Sequence, residues 1–151
     1  KRVVLETIMQ AGRARGRITL APATLKGVRL LYKALQRGEA IGVLPDQVPG
    51  NGEGEWAPFF GRSAYTMTLI GRLWKASGAA IVMSYSERLP NGEGYAMHFT
   101  PLSFEATSSI PGQLNAALET VVRARPEQYL WSYNRYKVPR GAPPPDLVKE
   151  Q

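Results

Sequence analysis

The chain has 151 residues, with 19 Lys plus Arg against 12 Asp plus Glu, for a formal net charge of +7. At 44% hydrophobic and 21% charged it falls outside disordered and fibrous classes, and a chain of this length buries roughly 68–70% of its unfolded surface, enough for a core without staples. It has no Cys, one His (His98) and two Asp (Asp46, Asp146), which excludes disulfides, zinc-thiolate sites, a cysteine nucleophile and a His/Asp cluster able to hold a catalytic metal.

The chain opens without Met and in mid-pattern, as expected of a fragment. Lys1-Arg2 precede only Val3-Val4-Leu5 before Glu6, which is not the shape of a secretory signal. Val4, Leu5, Ile8 and Met9 recur at helical spacing and stop at the Gly12–Arg17 run, predicting the tail of a helix. Ile18 to Ala21 reads as a short strand. Thr24 is an N-cap for a helix that carries Leu25, Val28, Leu31, Tyr32 and Leu35 and stops at Gly38.

Ala40-Ile41-Gly42-Val43-Leu44 is an uninterrupted apolar run, the signature of a strand buried on both faces. The loop from Pro45 to Glu55 follows it, dense in Pro and Gly. Ser63 is read as the cap of a second helix bearing Thr66, Leu69, Ile70, Leu73 and Trp74 and ending at Gly78. The nearly uncharged stretch Ser63–Ile70 within it falls far short of the about 20 apolar residues a spanning helix requires. Ala79–Tyr85 and Tyr95–Phe99 read as strands joined at the Pro90-Asn91-Gly92 turn. A last helix spans about Pro111 to Arg125, with Leu114, Ala117, Leu118, Val121 and Val122 inward, and Pro126 stops it. The expectation is an α/β chain with a small mixed sheet flanked by helices over residues 1–137, followed by a Pro-rich tail over 138–151.

If the Ile41 run is a strand, the Asp46 loop lies at its carboxyl end, where α/β sheets carry their sites. A carboxylate there, Asp46 beside Gln47, is costly to bury without a cation or N–H partner. The glycines at Gly50, Gly52 and Gly54 match neither phosphate-binding fingerprint and read as a turn. His98 reads as a half-exposed sheet histidine in preference to a catalytic base. Arg13, Arg15 and Arg17 place three guanidiniums within five positions, able to fork onto phosphate or carboxylate, although a solvated basic helix end explains them equally well. The charge of +7 calls for an anionic partner. Nucleic acid is the weaker choice, since the basic residues are spread out and no recognition module is present. Trp56, Phe59, Phe60 and Tyr65 beside Arg62 instead resemble an interfacial or acyl-contacting edge, with core packing as the alternative for the two phenylalanines.

Seven strings follow one another along the chain: Gly12-Arg13-Ala14-Arg15; Leu25-Lys26-Gly27; Leu35-Gln36-Arg37-Gly38-Glu39; Leu44-Pro45-Asp46-Gln47 with Gly50; Pro58-Phe59-Phe60-Gly61 with Ala64 and Thr66; Ser77-Gly78-Ala79; and Arg125-Pro126-Glu127-Gln128-Tyr129-Leu130-Trp131. Together and in this order they resemble one family, the late acyltransferases of lipid A biosynthesis (lauroyl and myristoyl transferases). The resemblance implies a fold similar to glycerol-phosphate acyltransferases and transfer of a fatty acyl group from acyl carrier protein to a hydroxyl of a lipid A precursor. It also implies a place on the cytoplasmic face of a Gram-negative inner membrane, with no cofactor and no metal. Substrate-binding positions carried over are Arg13, Arg15, Asp46, Gln47, Gly50, Phe60, Gly61 and Thr66. In this reading Arg13 takes a phosphate or positions the acceptor, and Asp46 pairs with it. The surplus cations meet acidic acyl carrier protein or an anionic membrane surface.

The family's His-x-x-x-x-Asp/Glu dyad is absent, because His98 is followed five places later by Ser103. The chain therefore resembles the C-terminal portion of such an enzyme, without its membrane helix and inactive by itself. The competing expectation is a non-catalytic module that binds lipid or another anionic ligand.

Overall fold

In the computed structural model, residues 18–50, 52–142 and 144–145 are described. The chain divides into two compact units, Lys1–Gly42 and Val43–Gln151.

In the first unit the anticipated helix forms as α1, Leu25–Gln36. The Thr24 hydroxyl accepts from the Gly27 N–H at 3.4 Å, the N-cap contact expected of its sequence. Gly27 is sterically required: a Cβ there would sit 1.8 Å from the Pro22 carbonyl oxygen, which already accepts from Thr24 N at 2.8 Å. The entry to the helix is thus folded against its own first turn. Ile18–Ala21 forms no strand, and Ile18 and Leu20 stand exposed. The helix read into residues 4–9 lies outside the described residues.

The second unit corrects the expected mixed sheet. It holds two separate antiparallel pairs: β1 (Gly54–Phe59) with β2 (Arg62–Met67), and β3 (Ile81–Arg88) with β4 (Tyr95–Leu102). The Ala40–Leu44 run is not a strand. No described strand pairs with it, and Leu44 is 61% exposed; an apolar run becomes a central strand only where neighbours satisfy its backbone. The helix read from Ser63 is corrected as well. Residues 62–67 are β2, with Trp56 opposite Tyr65 and Ala57 opposite Ala64, and the helix begins only at Leu69 as α2 (Leu69–Ser77), closed by Gly78 in the left-handed conformation. The β3–β4 hairpin turns at Pro90–Gly92 as expected. The last helix is α3, Ile110–Ala124, whose Ser109 hydroxyl accepts from the Gly112 N–H at 3.2 Å and whose end abuts Pro126.

The core gathers Phe59, Ala64, Met83, Leu114 and Leu118. Each fully buried side chain of the Leu and Phe class contributes about 1.5–3 kcal/mol. This core seats α3 against both hairpins and fixes where the segment after α3 returns across β2.

A buried arginine and an aromatic cleft form the candidate site

That returning segment brings Arg135 to Thr66 of β2 and Asn115 of α3, the buried polar residues among those described. Arg135 is 2% exposed, and Thr66 and Asn115 are fully buried. The Arg135 guanidinium donates through Nη1 to the Tyr65 carbonyl at 2.8 Å, and through Nη2 to Thr66 Oγ1 at 2.8 Å and Asn115 Oδ1 at 3.1 Å. Asn115 Nδ2 in turn donates to Thr66 Oγ1 and to the Pro58 carbonyl, both at 2.9 Å, and the Thr66 hydroxyl donates to the Ala64 carbonyl at 3.0 Å. One arginine and one asparagine therefore join β1, β2 and α3 to the chain that follows α3. Buried polar groups of this kind rigidify a structure when their hydrogen bonds are met.

Burial disfavours the charged form of Arg135 and lowers its pKa, opposed by Tyr129, Tyr133, Asp46 and Tyr136. Among the described residues no carboxylate lies within ion-pair distance of it, and its Nε has no partner.

Next to this cluster Phe59, Tyr129 and residues 131–136 line a cleft of about 260 Å³. Tyr129 and Trp131 meet edge to face at 4.9 Å, and Phe60 lies 6.1 Å from Trp131. Tyr136 donates its hydroxyl to the Phe59 carbonyl at 2.9 Å, and desolvation raises its pKa. Tyr129 titrates above the ordinary tyrosine value, first because of burial and then because of the Asp46 charge.

Asp46 is half-buried, and although it is not among the residues that line the cleft, its charge acts on Tyr129 and Arg135 and pushes both pKa values upward. Its loop does not extend a strand. It is tied instead by the Val48 N–H, which donates to the Tyr133 hydroxyl at 2.8 Å, so a residue 85 positions away sets the loop. Gln47 and Gly50 are exposed on the same loop.

Phe60 and Gly61 form the β1–β2 turn, with φ of +47° and +72°. Two consecutive positive φ angles match the tight hairpin turn whose twist suits antiparallel strands, where Asn-Gly is usual. Phenylalanine is strained there. Its position is held by Glu119, which accepts from the Phe60 N–H at 2.7 Å, and by Arg123, whose guanidinium lies 4.8 Å from the ring centre and pairs with Glu119 at 2.7 Å.

Of the residues singled out from sequence, Asp46 acts by its charge on the cleft residues Tyr129 and Arg135 without lining the cleft, Gln47 and Gly50 lie on its loop, and Phe60 and Gly61 form the β1–β2 turn. Thr66 is placed differently. Its hydroxyl accepts from Asn115 and Arg135 and donates to Ala64, so it holds Arg135 and presents nothing to a ligand. Arg13 and Arg15, and with them the Arg13–Asp46 pair, lie outside the described residues.

The sequence reading passed over Arg135, Asn115, Tyr129 and Tyr133 as site residues. A lone Asn at an inward position of α3, between Leu114 and Leu118, was the available signal, since an amide there must find partners. His98 stands as a half-exposed sheet residue. Its Nε2 lies 2.8 Å from Glu87 Oε2, its ring stacks on Tyr85 at 4.5 Å, and Glu87 also accepts from Arg125 Nε at 2.5 Å. None of His98, Glu87 or Arg125 lines the cleft. No group of three or more His, Cys, Asp or Glu among the described residues is placed to hold a metal, and no helix among them is long and apolar enough to cross a membrane.

Comparison with known proteins agrees with the strings quoted above. Residues 1–138 match the family described as bacterial lipid A biosynthesis acyltransferase. The chain is 30% identical over 124 residues to the lipid A biosynthesis lauroyltransferase of Escherichia coli K12, covering 78% of this chain and 40% of that protein. It is 31% identical over 137 residues to the palmitoleoyltransferase of the same organism and to a lipid A biosynthesis acyltransferase of Shigella flexneri, covering 86% of this chain and 44% of each. The chain thus spans less than half the length of these relatives. A match over nearly all of its residues, joined to the order of its motifs, places the chain in the bacterial lipid A biosynthesis acyltransferase family.

Proposed function

We propose that these residues form the substrate-gripping portion of an acyltransferase of lipid A biosynthesis, moving a fatty acyl group from acyl carrier protein to a hydroxyl of a lipid A precursor at the cytoplasmic face of the inner membrane. The glycerol-phosphate acyltransferase type of fold is proposed with it, as the larger layered structure to which the two hairpins and three helices belong.

The observation that carries the reading is the tethered Asp46. Its loop is held by Tyr133 at the edge of an aromatic cleft backed by the buried Arg135. Aromatic walls suit hydrocarbon, and a carboxylate whose charge reaches two of the cleft residues is able to accept a hydrogen bond from an acceptor hydroxyl. In the transfer itself the acceptor hydroxyl oxygen attacks the thioester carbonyl carbon and charge gathers on the carbonyl oxygen; as the carbonyl re-forms the C–S bond breaks, and the proton given up by the hydroxyl ends on the departing thiolate, which leaves as thiol. Asp46 orients the acceptor for attack. The cleft presents no histidine to take the proton, and His98 lacks the five-residue spacing to an acid that the family uses. By itself the chain binds without turning over.

The test is binding of a diphosphorylated glycolipid in detergent micelles, followed by tryptophan emission, together with release of thiol from acyl carrier protein. Binding that weakens about ten-fold in Asp46→Ala, the loss of one hydrogen bond to a charged group, supports the reading. A weaker loss is expected in Tyr133→Phe, which frees the loop. Equal binding by Asp46→Ala and the parent chain removes Asp46 from the site. Steady thiol release and ester formation by the chain alone overturn the assignment of grip without base.

A further inference from the structure

The positive charge is not shared evenly between the two units. From Thr7 to Gly38 there are seven Lys and Arg and no acidic residue, whereas residues 43–142 carry nine Lys and Arg against eight Asp and Glu. Within the described residues this excess is concentrated on α1. Lys26, Arg29, Lys33 and Arg37 follow one another at three- and four-residue steps, which sets them in a single stripe along the helix and its C-cap. All four are exposed. Arg37 is held by Glu39 in a two-pronged contact of 2.6 and 2.9 Å. Among the described residues Lys26, Arg29 and Lys33 have no carboxylate partner.

The stripe is bordered by apolar side chains that are also left in water. Leu25 is 78% exposed and Leu30 43%, on either side of the cations, and Ile18 and Leu20 are exposed just ahead of the helix. A purely ionic partner accounts for the cations and leaves these residues unexplained. An anionic lipid surface accounts for both, since headgroup phosphates meet the cations while the leucines enter the headgroup and acyl boundary. Long basic stems lying beside exposed leucines suit the same boundary.

We propose that α1 and the residues leading into it are a docking surface for an anionic lipid bilayer. This deepens the function proposed above by naming the face that meets the membrane. The helix lies along the surface without spanning it, and the exposed Lys26, Arg29 and Lys33 supply the attraction.

The experiment is co-sedimentation of the chain with vesicles of phosphatidylcholine alone and of phosphatidylcholine with one-third phosphatidylglycerol, at low and high salt. The parent chain is expected to partition onto the anionic vesicles, to release at high salt, and to ignore the neutral ones. A variant with Lys26→Gln, Arg29→Gln and Lys33→Gln is expected to lose partitioning roughly 100-fold, at about five-fold per cation. Its helix content is checked by circular dichroism, since Gln keeps helix propensity. A control that removes the same charge from the other unit, Arg72→Gln with Lys75→Gln and Arg88→Gln, is expected to bind as the parent does. Leu25→Ser with Leu30→Ser is expected to weaken binding without changing its salt dependence.

Equal partitioning onto neutral and anionic vesicles, or an equal loss in the α1 and control triples, overturns the proposal. So does retention on polyglutamate with no vesicle binding, which assigns the stripe to an acidic protein. Vesicle binding needs neither acyl donor nor Asp46. Loss of glycolipid binding in Asp46→Ala therefore tests the cleft, and loss of sedimentation in the α1 triple tests this surface.

Discussion

Arg135 and the stripe on α1 use the same kind of charge in opposite ways. Arg135 is buried, its terminal nitrogens are spent on three oxygens of the protein, and it organises the floor of a cleft. Lys26, Arg29 and Lys33 are exposed, have no carboxylate partner among the described residues, and organise nothing within their own helix. A basic side chain is architecture where its donors are consumed internally and desolvated, and interface where they are left to water. Net charge alone does not separate the two cases.

Removing charge from each region should therefore have unequal consequences. The largest effect is expected for Arg135→Met, which leaves the Tyr65 carbonyl, Thr66 and Asn115 Oδ1 short of donors inside the protein. A loss of about 3 kcal/mol or more in urea unfolding is expected, from penalties of about 1–3 kcal/mol for each buried orphan. A cost below about 0.5 kcal/mol would place Arg135 with the surface cations and erase the contrast.

Asn115→Ala comes next, at about 2 kcal/mol, because the Pro58 carbonyl and one lone pair of Thr66 lose their donor. Combined with Arg135→Met, its cost should fall well short of additive, since both residues serve Thr66. Strict additivity would show that the two act independently.

A smaller effect separates a surface ion pair from the buried hydrogen-bond cluster. Arg125, and then His98, hold the Glu87 carboxyl below the usual carboxylate range. A group whose folded pKa is depressed adds stability that is fully present above its unfolded value, about 4.3 for Glu, and is lost as pH falls through the folded value. The parent chain should accordingly lose stability below about pH 4.3 more steeply than Glu87→Gln does, when the two are followed by thermal unfolding across that range. Identical acid slopes would remove Glu87 from the balance. The smallest effect is assigned to the α1 triple variant, whose unfolding free energy should stay within about 0.5 kcal/mol of the parent's. A larger shift would mean that the stripe is structural after all.

Much of the helical content was legible because it depends on local rules. Thr24 caps α1 where a hydroxyl is expected, Gly78 ends α2 by taking a left-handed conformation, and Pro126 halts α3. The β1–β2 hairpin was not legible. Ser63 resembles a helix cap, and Thr66, Leu69, Ile70 and Leu73 fall at helical spacing, so residues 62–67 carried a helical signal that pairing with β1 overrode. Its turn was hidden too, because Phe60 at positive φ breaks the usual chemistry and is compensated by Glu119 and Arg123 on α3. Asp46 was identified for a reason that failed: the strand before it does not form, and Tyr133 anchors its loop instead.

The sequence by itself determined both ends of α1, the stops of α2 and α3, the family, the absence of a His-x-x-x-x-acid pair in these residues and the uneven distribution of charge, all of which are properties of neighbours along the chain. Only the tertiary structure decided that Thr66 is occupied, that Arg135 and Asn115 join three elements, and that the loop of Asp46 is tied to Tyr133 of an aromatic cleft. Those outcomes depend on hydrogen bonds between residues 20 to 85 positions apart. Burial makes such bonds obligatory, but their partners are set by how the hairpins and α3 pack, and no local spacing encodes that.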